Sequence, residues 1–437
     1  MGSLRQKLSD RFIGYLDNQT LRNNVKYSIL NGSLSNVAVG LTASFMAVYA
    51  LRLGSTENMI AILSSGPALM GLLAQVPAAV MTERIEKKKE AMVKWAMLQR
   101  MCYFIFAIIP FLPIATIYKA WLFILLVTAM SFPTNIVNTM WTQMMGEIIP
   151  SRYRGRVFGD RNFIMGWFAL GSVMLAGPLL DFIPYPYNYT VLFGLSFIAF
   201  MVSLGYLKRT DEVKSSEAPV SSVRKSNPYE GFKFIIKDQP FLIFVLAATL
   251  LNLGFALSAS IWTLNQVRDL HLTNTQIALT TVLQSLGTTL SFPYWGRIID
   301  RIGSKKVFLM AVFLFIFRPL VQIFVTVDNL WLMWMICFIT GLAQGAYALS
   351  QFNTLLEVAP DPNMRPSYLA FFNMAIQSVS FIFPMVGVII YTTMGNQANP
   401  VFWLSTFIRA VAAAVMASVI LSTYKKEKHA LRNTKSI

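Results

Sequence analysis

Neutral amide side chains recur inside the long apolar segments of this sequence, where hydrogen-bonding partners are scarce. A lone amide in hydrocarbon is costly, so such a group usually faces protein or water. As a set, these amides predict a polar cavity that hydrogen-bonds a small solute, while any single one also fits a hydrogen bond between neighbouring helices. The candidates are Asn31, Asn36, Asn135, Asn138, Asn252, Gln284, Gln344 and Gln377.

Three arginines, Arg100, Arg318 and Arg409, also lie inside apolar segments. A guanidinium near the centre of a bilayer costs at least about 2.5 kcal/mol, so each of them needs a compensating partner. Arg100 and Arg318 are added to the candidate binding residues, because an anionic ligand would compensate their charge. The alternative is that these side chains bond to backbone carbonyls or reach the lipid headgroups.

Two short charged loops separate pairs of apolar segments and repeat the same chemistry. The second loop places an acid and an arginine between two glycines and ends in two lysines; the first keeps the acid and the arginine without the glycines. An acid at the end of one helix can pair with an arginine or with backbone amides of another, so both loops are candidate conformational latches. The residues are Glu83 and Arg84 in the first loop, and Gly296, Asp300, Arg301, Gly303, Lys305 and Lys306 in the second.

Another charged pattern also occurs twice and extends the candidate gate. Glu147 is followed by Arg154, and Glu357 by Arg365, each near the end of an apolar segment. Opposite charges placed in this way can close the mouth of a cavity. Ordinary solvated charges at helix ends fit equally well, and such pairs contribute under about 1 kcal/mol each.

The elements that carry these residues are predicted from composition. With 55% hydrophobic and 13% charged residues and a mean hydropathy of +0.54, the chain is too apolar for a water-soluble protein. Its apolar runs have the length of about 20 residues that an α-helix needs to cross a bilayer, and they lack the alternation of barrel strands. We predict twelve transmembrane helices, at 24–51, 57–81, 91–115, 120–145, 162–182, 188–207, 240–264, 274–296, 306–327, 329–357, 367–392 and 399–422.

The distribution of positive charge predicts the orientation. Most of the 37 lysines and arginines lie in both termini, in alternate loops and in the central polar segment. Such residues are retained on the cytoplasmic side, so we expect both termini to be cytoplasmic and the protein to lie in the plasma membrane, the inner membrane of a bacterium. Topology and anionic headgroups account for the net charge of +17, and no nucleic-acid partner is predicted.

Internal repetition predicts two halves. The charged loops, the two glutamate–arginine patterns, and the pair Arg100 and Arg318 recur at a nearly constant separation, which indicates a duplication of six helices. A parallel duplication of this kind predicts a cavity between halves related by a twofold axis. The predicted domains are a cytoplasmic segment at 1–23, a first six-helix bundle at 24–207, a cytoplasmic linker at 208–238, a second six-helix bundle at 239–422 and a cytoplasmic basic tail at 423–437.

The pattern Gly-x-x-x-Asp-Arg-x-Gly-x-Lys-Lys, from Gly296 to Lys306, resembles the loop signature of the major facilitator superfamily of secondary transporters. The resemblance covers essentially the whole chain and implies an all-α membrane protein of twelve transmembrane helices in two six-helix bundles. The copy in the first half is degenerate, because Glu83 replaces the aspartate and Glu86 stands at the second glycine. The gating loops of the two halves are therefore expected to differ.

Two further features of the sequence concern the direction of transport and the coupling ion. Gly177 and Pro178 resemble the core of a motif found in exporters of this superfamily, but Asp181 stands where a glycine is expected. The resemblance thus favours export and leaves proton antiport in doubt. Because no acidic residue falls in the middle of a predicted helix, no buried proton relay is predicted, and coupling to H⁺ or Na⁺ stays open.

Enzymatic and metal chemistry are not predicted. The loops contain no grouping of a nucleophile, a base and an orienting acid, and no glycine-rich phosphate cradle. The two cysteines, Cys102 and Cys337, both fall inside apolar segments, and His271 and His429 are the only histidines. We therefore expect no cofactor, no metal site and no disulfide framework.

Taken with the resemblance, these observations predict a monomeric secondary transporter that moves a small solute by alternating access. Export of a drug-like amphiphile or an organic anion is favoured. Its expected partners are the solute and the lipid bilayer. Two alternatives share the same fold: a membrane sensor or scaffold that does not transport, and a flippase for an amphiphile of the lysolipid type.

Overall fold

The computed structural model describes residues 16, 18–85, 87–212, 235–358 and 365–434. Within these residues the chain is helical and contains no β-strand, which confirms the predicted all-α class. Long helices are the expected solution for an apolar chain, since a helix satisfies its backbone hydrogen bonds internally. Glu86 and most of the predicted amino-terminal segment and central linker lie outside the described residues.

Six long helices precede the central linker, and one of them continues through a 3₁₀ turn at Ala43–Phe45 into a short helix. Asn18 begins the first helix as its N-cap, where its side chain accepts a hydrogen bond from the backbone N–H of Thr20. The helices are α1 (Gln19–Thr42), the short α2 (Met46–Arg52), α3 (Glu57–Arg84), α4 (Lys88–Ile108), α5 (Thr116–Ile148), α6 (Ser151–Phe182) and α7 (Tyr187–Lys208).

Six more long helices follow the linker in the described residues. Asp238 caps the first of them by accepting a hydrogen bond from the backbone N–H of Phe241. The helices are α8 (Gln239–Leu264), α9 (Asn274–Ile302), α10 (Ser304–Gln322), α11 (Leu330–Val358), α12 (Arg365–Thr393) and α13 (Asn399–Thr434). The last helix thus continues into the segment predicted as a basic tail.

Ten of these twelve long helices are long and apolar enough to cross a membrane, with α1 and α2 counted as one span. The other two, α9 and α10, have sufficient length but differ in composition. Helix α9 is rich in threonine, serine and glutamine, and α10 contains Lys305, Lys306 and Arg318. The polar groups of these two helices therefore need protein partners, several of which are described below.

The chain divides into two compact units with the same internal packing. In the first unit α1 packs on α6 and α7, and α4 packs on α5 and α7. In the second unit α8 packs on α12 and α13, and α10 packs on α11 and α13. In this packing α1, α4, α5, α6 and α7 of the first unit thus correspond to α8, α10, α11, α12 and α13 of the second. This recurrence agrees with the repeated sequence motifs and with the placement of Arg100 and Arg318 on the equivalent helices α4 and α10.

The beginning of α9 belongs to the first unit, which comprises the residues before the linker together with Leu272–Val282. Asp181, near the end of α6, accepts four hydrogen bonds from the backbone and side chains of Asn274 and Thr275, at 2.6–3.0 Å. A carboxylate stabilises a helix N-terminus in this way. The sequence predicts that all of α9 belongs to the second bundle. The capping contact with Asp181 is the physical reason why the beginning of α9 belongs to the first unit instead.

Candidate functional site

A cavity of about 420 Å³ lies among α1, α4, α5, α6 and α7 of the first unit. Its apolar walls include Val39, Val137, Trp141 and Phe200. Its polar lining combines amides, hydroxyls and two guanidinium groups, and none of the described residues that line it is acidic. The polar side chains are Asn31, Ser35, Asn36, Gln99, Arg100, Thr134, Asn138, Thr142 and Arg161.

Arg100 of α4 lies in the wall of this cavity and is only 5% exposed. One guanidinium nitrogen, Nη2, lies 3.4 Å from the hydroxyl of Ser203, and the group lies 5.6 Å from the ring centroid of Phe200. The other two nitrogens, Nε and Nη1, are buried and have no hydrogen-bond partner among the described residues. The protein thus buries a cation here and leaves most of its donors unused.

Arg161 of α6 provides the second cation of the cavity. Its guanidinium lies 4.1 Å from the ring centroid of Trp141, and its Nε donates to the hydroxyl of Ser28 at 3.2 Å. Gly32 provides the necessary space, because a Cβ at that position would lie 2.7 Å from Nη2 of Arg161. The stacked ring and the hydroxyl hold the guanidinium in one orientation.

Arg161 was not among the predicted site residues, because the helix predicted at 162–182 begins one residue after it. In the structure α6 begins at Ser151, which puts Arg161 about three turns inside the helix. Pro150, directly before the helix, is a start signal that would have found this boundary.

Three of the eight predicted amides line the cavity, and they differ in how they use their hydrogen bonds. The amide nitrogen of Asn31 donates to the carbonyl and the hydroxyl of Ser203, both at 2.9 Å, and so joins α1 to α7. The amide of Asn36 donates to the carbonyl of Gly32 in its own helix. Asn138 is exposed, and its side chain makes no hydrogen bond to the residues described here, so its amide is free for a ligand. Asn135 bonds to the carbonyl of Ser131 and is not among the lining residues.

The remaining predicted binding residues lie in the second unit and form separate contacts there. Asn252 of α8 donates to its own helix and, at 3.2 Å, to the hydroxyl of Tyr347 of α11. Gln284 of α9 accepts a hydrogen bond of 2.7 Å from Arg318 of α10. The lining of the first-unit cavity contains none of these residues, nor Gln344 and Gln377, which are half-buried.

Arg318 and Arg409 make shorter hydrogen bonds to protein groups than the 3.4 Å contact of Arg100 with Ser203. Arg318 lies 4.7 Å from the ring centroid of Trp262 in addition to its bond with Gln284. Arg409 is 1% exposed and donates to the carbonyls of Phe315 and Gly254 and to the hydroxyl of Ser258. Bonding to carbonyls was the alternative predicted for these side chains.

Two of the candidate gate residues, Glu147 and Glu357, contact the first residue of another long helix. Glu147 pairs with Lys88, the first residue of α4, and also lies 3.3 Å from the amide of Gln143. Glu357 accepts a hydrogen bond of 2.7 Å from the hydroxyl of Ser304, the first residue of α10. In both units the acid at the end of one long helix thus contacts the start of another. The expected partner side chains, Arg154 and Arg365, lie outside the described side chains, as do Glu83 and Arg84.

The complete loop between α9 and α10 has one glycine in a conformation that requires it. Gly303 has a φ of +87°, in the left-handed region that favours glycine, and it ends the turn between the helices. Gly296 makes no close approach, because a Cβ there would meet nothing within 4 Å. Asp300 and Arg301 are exposed at the end of α9, and Lys305 and Lys306 lie in the first turn of α10. Among the described residues Asp300 forms neither an ion pair nor a hydrogen bond, and its role in a latch stays a prediction.

The sequence model of the Major Facilitator Superfamily matches residues 29–267 and 246–436, which together cover most of the chain. The chain belongs to the major facilitator superfamily. As a member of that superfamily it is a multi-pass membrane transporter of the permease type that binds a small-molecule substrate. Comparison with curated proteins gives no significant match.

Solved structures of superfamily transporters share the fold. The nucleoside transporter NupG is 13% identical with a TM-score of 0.67, over 92% of this chain and 99% of that chain. A POT family transporter in complex with a thioalcohol-conjugated peptide is 14% identical with a TM-score of 0.67, over 95% and 98%. The D-xylose–proton symporter is 12% identical with a TM-score of 0.65, over 91% and 96%. At these identities the likeness shows the fold, and it confirms the predicted superfamily architecture.

Proposed function

We propose that this superfamily member is a secondary active transporter that moves a small solute across the bilayer by alternating access, without converting it chemically. The cavity of about 420 Å³ in the first unit carries this proposal. Its volume lies in the range of about 300–1,000 Å³ that small-molecule sites occupy. Its unused donors at Arg100 and its free amide at Asn138 serve no partner in the described protein, so a ligand is the group that would use them.

The paired contacts Lys88–Glu147 and Ser304–Glu357 support a conformational role for the acids. Both acids lie at the ends of equivalent helices, α5 and α11, and both contact the beginning of the helix that follows a charged loop. A contact that holds a helix end in one state and breaks in another gates a cavity. We assign this role to Glu147, Glu357 and the loop residue Asp300.

Export, residence in the plasma membrane and cytoplasmic termini remain predictions from the sequence. The structure accounts for Gly177 by packing alone, since a Cβ there would lie 2.8 Å from Cβ of Ala278 and Cα of Thr275. The glycine of the exporter-like motif thus has a reason to be present that is independent of direction. Accessibility of tags at the two termini, measured in right-side-out and inverted vesicles, tests the topology.

Solute exchange in proteoliposomes tests the proposed transport. The purified protein is screened for counterflow of solutes, with and without imposed H⁺ and Na⁺ gradients. We expect exchange of at least one solute, and a lower exchange rate with little change in solute affinity for Asp300→Asn. Solute binding without counterflow under any gradient would identify a sensor instead. Inhibition by lysolipid alone, with net movement of the lysolipid between leaflets, would identify a flippase.

A further inference from the structure

We propose that the first-unit cavity binds an organic anion, with its carboxylate or phosphate group held between Arg100 and Arg161 and its flat, apolar body against Trp141. The proposal deepens the transport function by naming the substrate class of that site. It rests on that function only where it calls the anion a substrate, because anion binding is measurable without turnover.

The charge of the cavity is the first observation. Two guanidinium groups line it, and the described lining residues include no carboxylate. An uncompensated cation in a low-dielectric site attracts an anion strongly, and a second cation beside it adds to the same field. A neutral solute would leave that charge unpaired, and a cationic solute would be repelled.

The unused donors of Arg100 are the second observation. Nε and Nη1 are buried without a partner, in a side chain that is 5% exposed. A guanidinium presents adjacent N–H groups in a fixed fork that matches the two oxygens of a carboxylate or phosphate. Arg409 provides the contrast, because it is 1% exposed and donates three hydrogen bonds to protein oxygens. Only its Nε lacks a partner among the described residues, whereas Arg100 has two such nitrogens.

The placement of Arg161 is the third observation. Its Nε donates to Ser28 and its guanidinium carbon lies over the ring of Trp141, whereas its two terminal nitrogens make no hydrogen bond to described residues. Gly32 leaves the space that one of these terminal nitrogens occupies. The helices thus fix the guanidinium and leave its donor edge free, which is the arrangement that anion recognition requires.

The walls of the cavity define the rest of the ligand. Trp141, Phe200, Val137 and Val39 provide aromatic and aliphatic surface, and the amide of Asn138 provides a neutral hydrogen-bonding group at the wall. A flat ring that carries one acidic group fits this combination, because the ring packs against the apolar walls, which include Trp141, while the acid meets the arginines.

Calorimetric titration of the full-length protein in nanodiscs of phosphatidylcholine tests the proposal. The probes are benzoate, phenylphosphonate and 1-naphthoate, with benzamide as the neutral counterpart of benzoate and lysophosphatidic acid as the lipid anion. We expect at least one of the three aromatic anions to bind in the millimolar range or tighter. We expect benzamide to bind about tenfold more weakly than benzoate, since a hydrogen bond to a charged group is stronger than one between neutral groups.

Two variants connect binding to the named residues. Arg161→Gln is expected to weaken binding of the aromatic anions by about tenfold, and Arg161→Lys to retain part of it. Gly32→Ala displaces the guanidinium without removing it, so it is expected to weaken anion binding as well. If Arg161→Gln fails to fold, as judged by gel filtration, the anion affinity of Gly32→Ala provides the test of the proposed site.

Three results would overturn the inference: no binding of any aromatic anion, equal binding of benzamide and benzoate, or full anion affinity in folded Arg161→Gln or Gly32→Ala. Binding of lysophosphatidic acid alone would overturn it in favour of a lipid headgroup. Anion binding together with absent counterflow would leave the anion site standing and refute only transport.

Discussion

Gln284 and Arg318, which the sequence predicted as two separate ligand-binding residues, bond to each other. The Oε1 atom of Gln284 accepts from Nη1 of Arg318 at 2.7 Å and joins α9 to α10. The Nε of the same arginine is buried and without a hydrogen-bond partner among the described residues. The hydrogen bond to this amide thus offsets part of the free-energy cost of burying a cation in an apolar helix.

Replacing Gln284 by leucine is expected to destabilise the protein, because Arg318 would lose its hydrogen-bond acceptor inside the second unit. The expected cost is about 1–3 kcal/mol. Gln377→Leu is the matched control, since Gln377 is half-buried and makes no hydrogen bond to described residues. The unfolding temperatures of both variants are measured by heating the protein while its intrinsic fluorescence is monitored. Equal unfolding temperatures would refute the role given to Gln284.

Gly341→Ala is expected to loosen the packing of α9 against α11. A Cβ at Gly341 would lie 2.1 Å from the backbone oxygen of Gln284, and a backbone atom cannot move aside as a side chain can. Overpacking of this kind costs about 1–3 kcal/mol. At Gly194 a Cβ would meet nothing within 4 Å, so Gly194→Ala should be neutral or slightly stabilising. The same unfolding experiment compares the two variants, and a neutral Gly341→Ala would contradict the close approach.

The ion pair between Lys88 and Glu147 is expected to contribute to the stability of the first unit. Its side chains are only 11% and 23% exposed, so solvent screens it weakly and a coupling of about 1–3 kcal/mol is expected. Lys87 and Glu90 form a control pair at 3.4 Å whose side chains are 75% and 62% exposed, and such pairs contribute about 0.2–0.5 kcal/mol. Double-mutant cycles with Lys→Met and Glu→Gln measure the coupling free energy of each pair. Equal coupling free energies would show that burial does not strengthen the pair.

Asn138→Ala is expected to weaken binding of the transported solute by about fivefold, because its free amide lines the cavity. Asn135→Ala serves as the control, since Asn135 bonds to the carbonyl of Ser131 in its own helix. The affinities are taken from the concentration dependence of exchange in proteoliposomes. A larger effect at Asn135 than at Asn138 would reverse the assignment.

The class and the repeated organisation of the fold could be predicted because both depend on local properties of the chain. Each apolar run is long enough to require a helix in lipid, and charged residues interrupt the runs at repeated spacings. The structure has twelve long helices in the described residues and equivalent packing in two units. One boundary was predicted wrongly at a residue that matters, because Arg161 lies inside α6 and not in the loop before it.

The partners of the polar side chains could not be predicted in the same way. Asn36 and Asn135 bond within their own helices, Asn31 bonds across to Ser203, and Asn138 stays free, although all four are amides in similar apolar surroundings. A helix that is apolar on all sides carries little information about which face meets a neighbour. Which amides are free therefore depends on the rotation of each helix against the others.

The sequence by itself determined that this protein is a duplicated bundle of membrane helices, because hydropathy, length and the position of charge act along the chain. Only the tertiary structure decided which buried cations bond to protein oxygens and which keep donors without a partner in the described residues. Arg409 is enclosed by three protein oxygens, whereas Arg100 reaches only one distant hydroxyl and shares a cavity with Arg161. That difference arises from groups on other helices, far apart in sequence, whose positions the residues around each arginine do not encode.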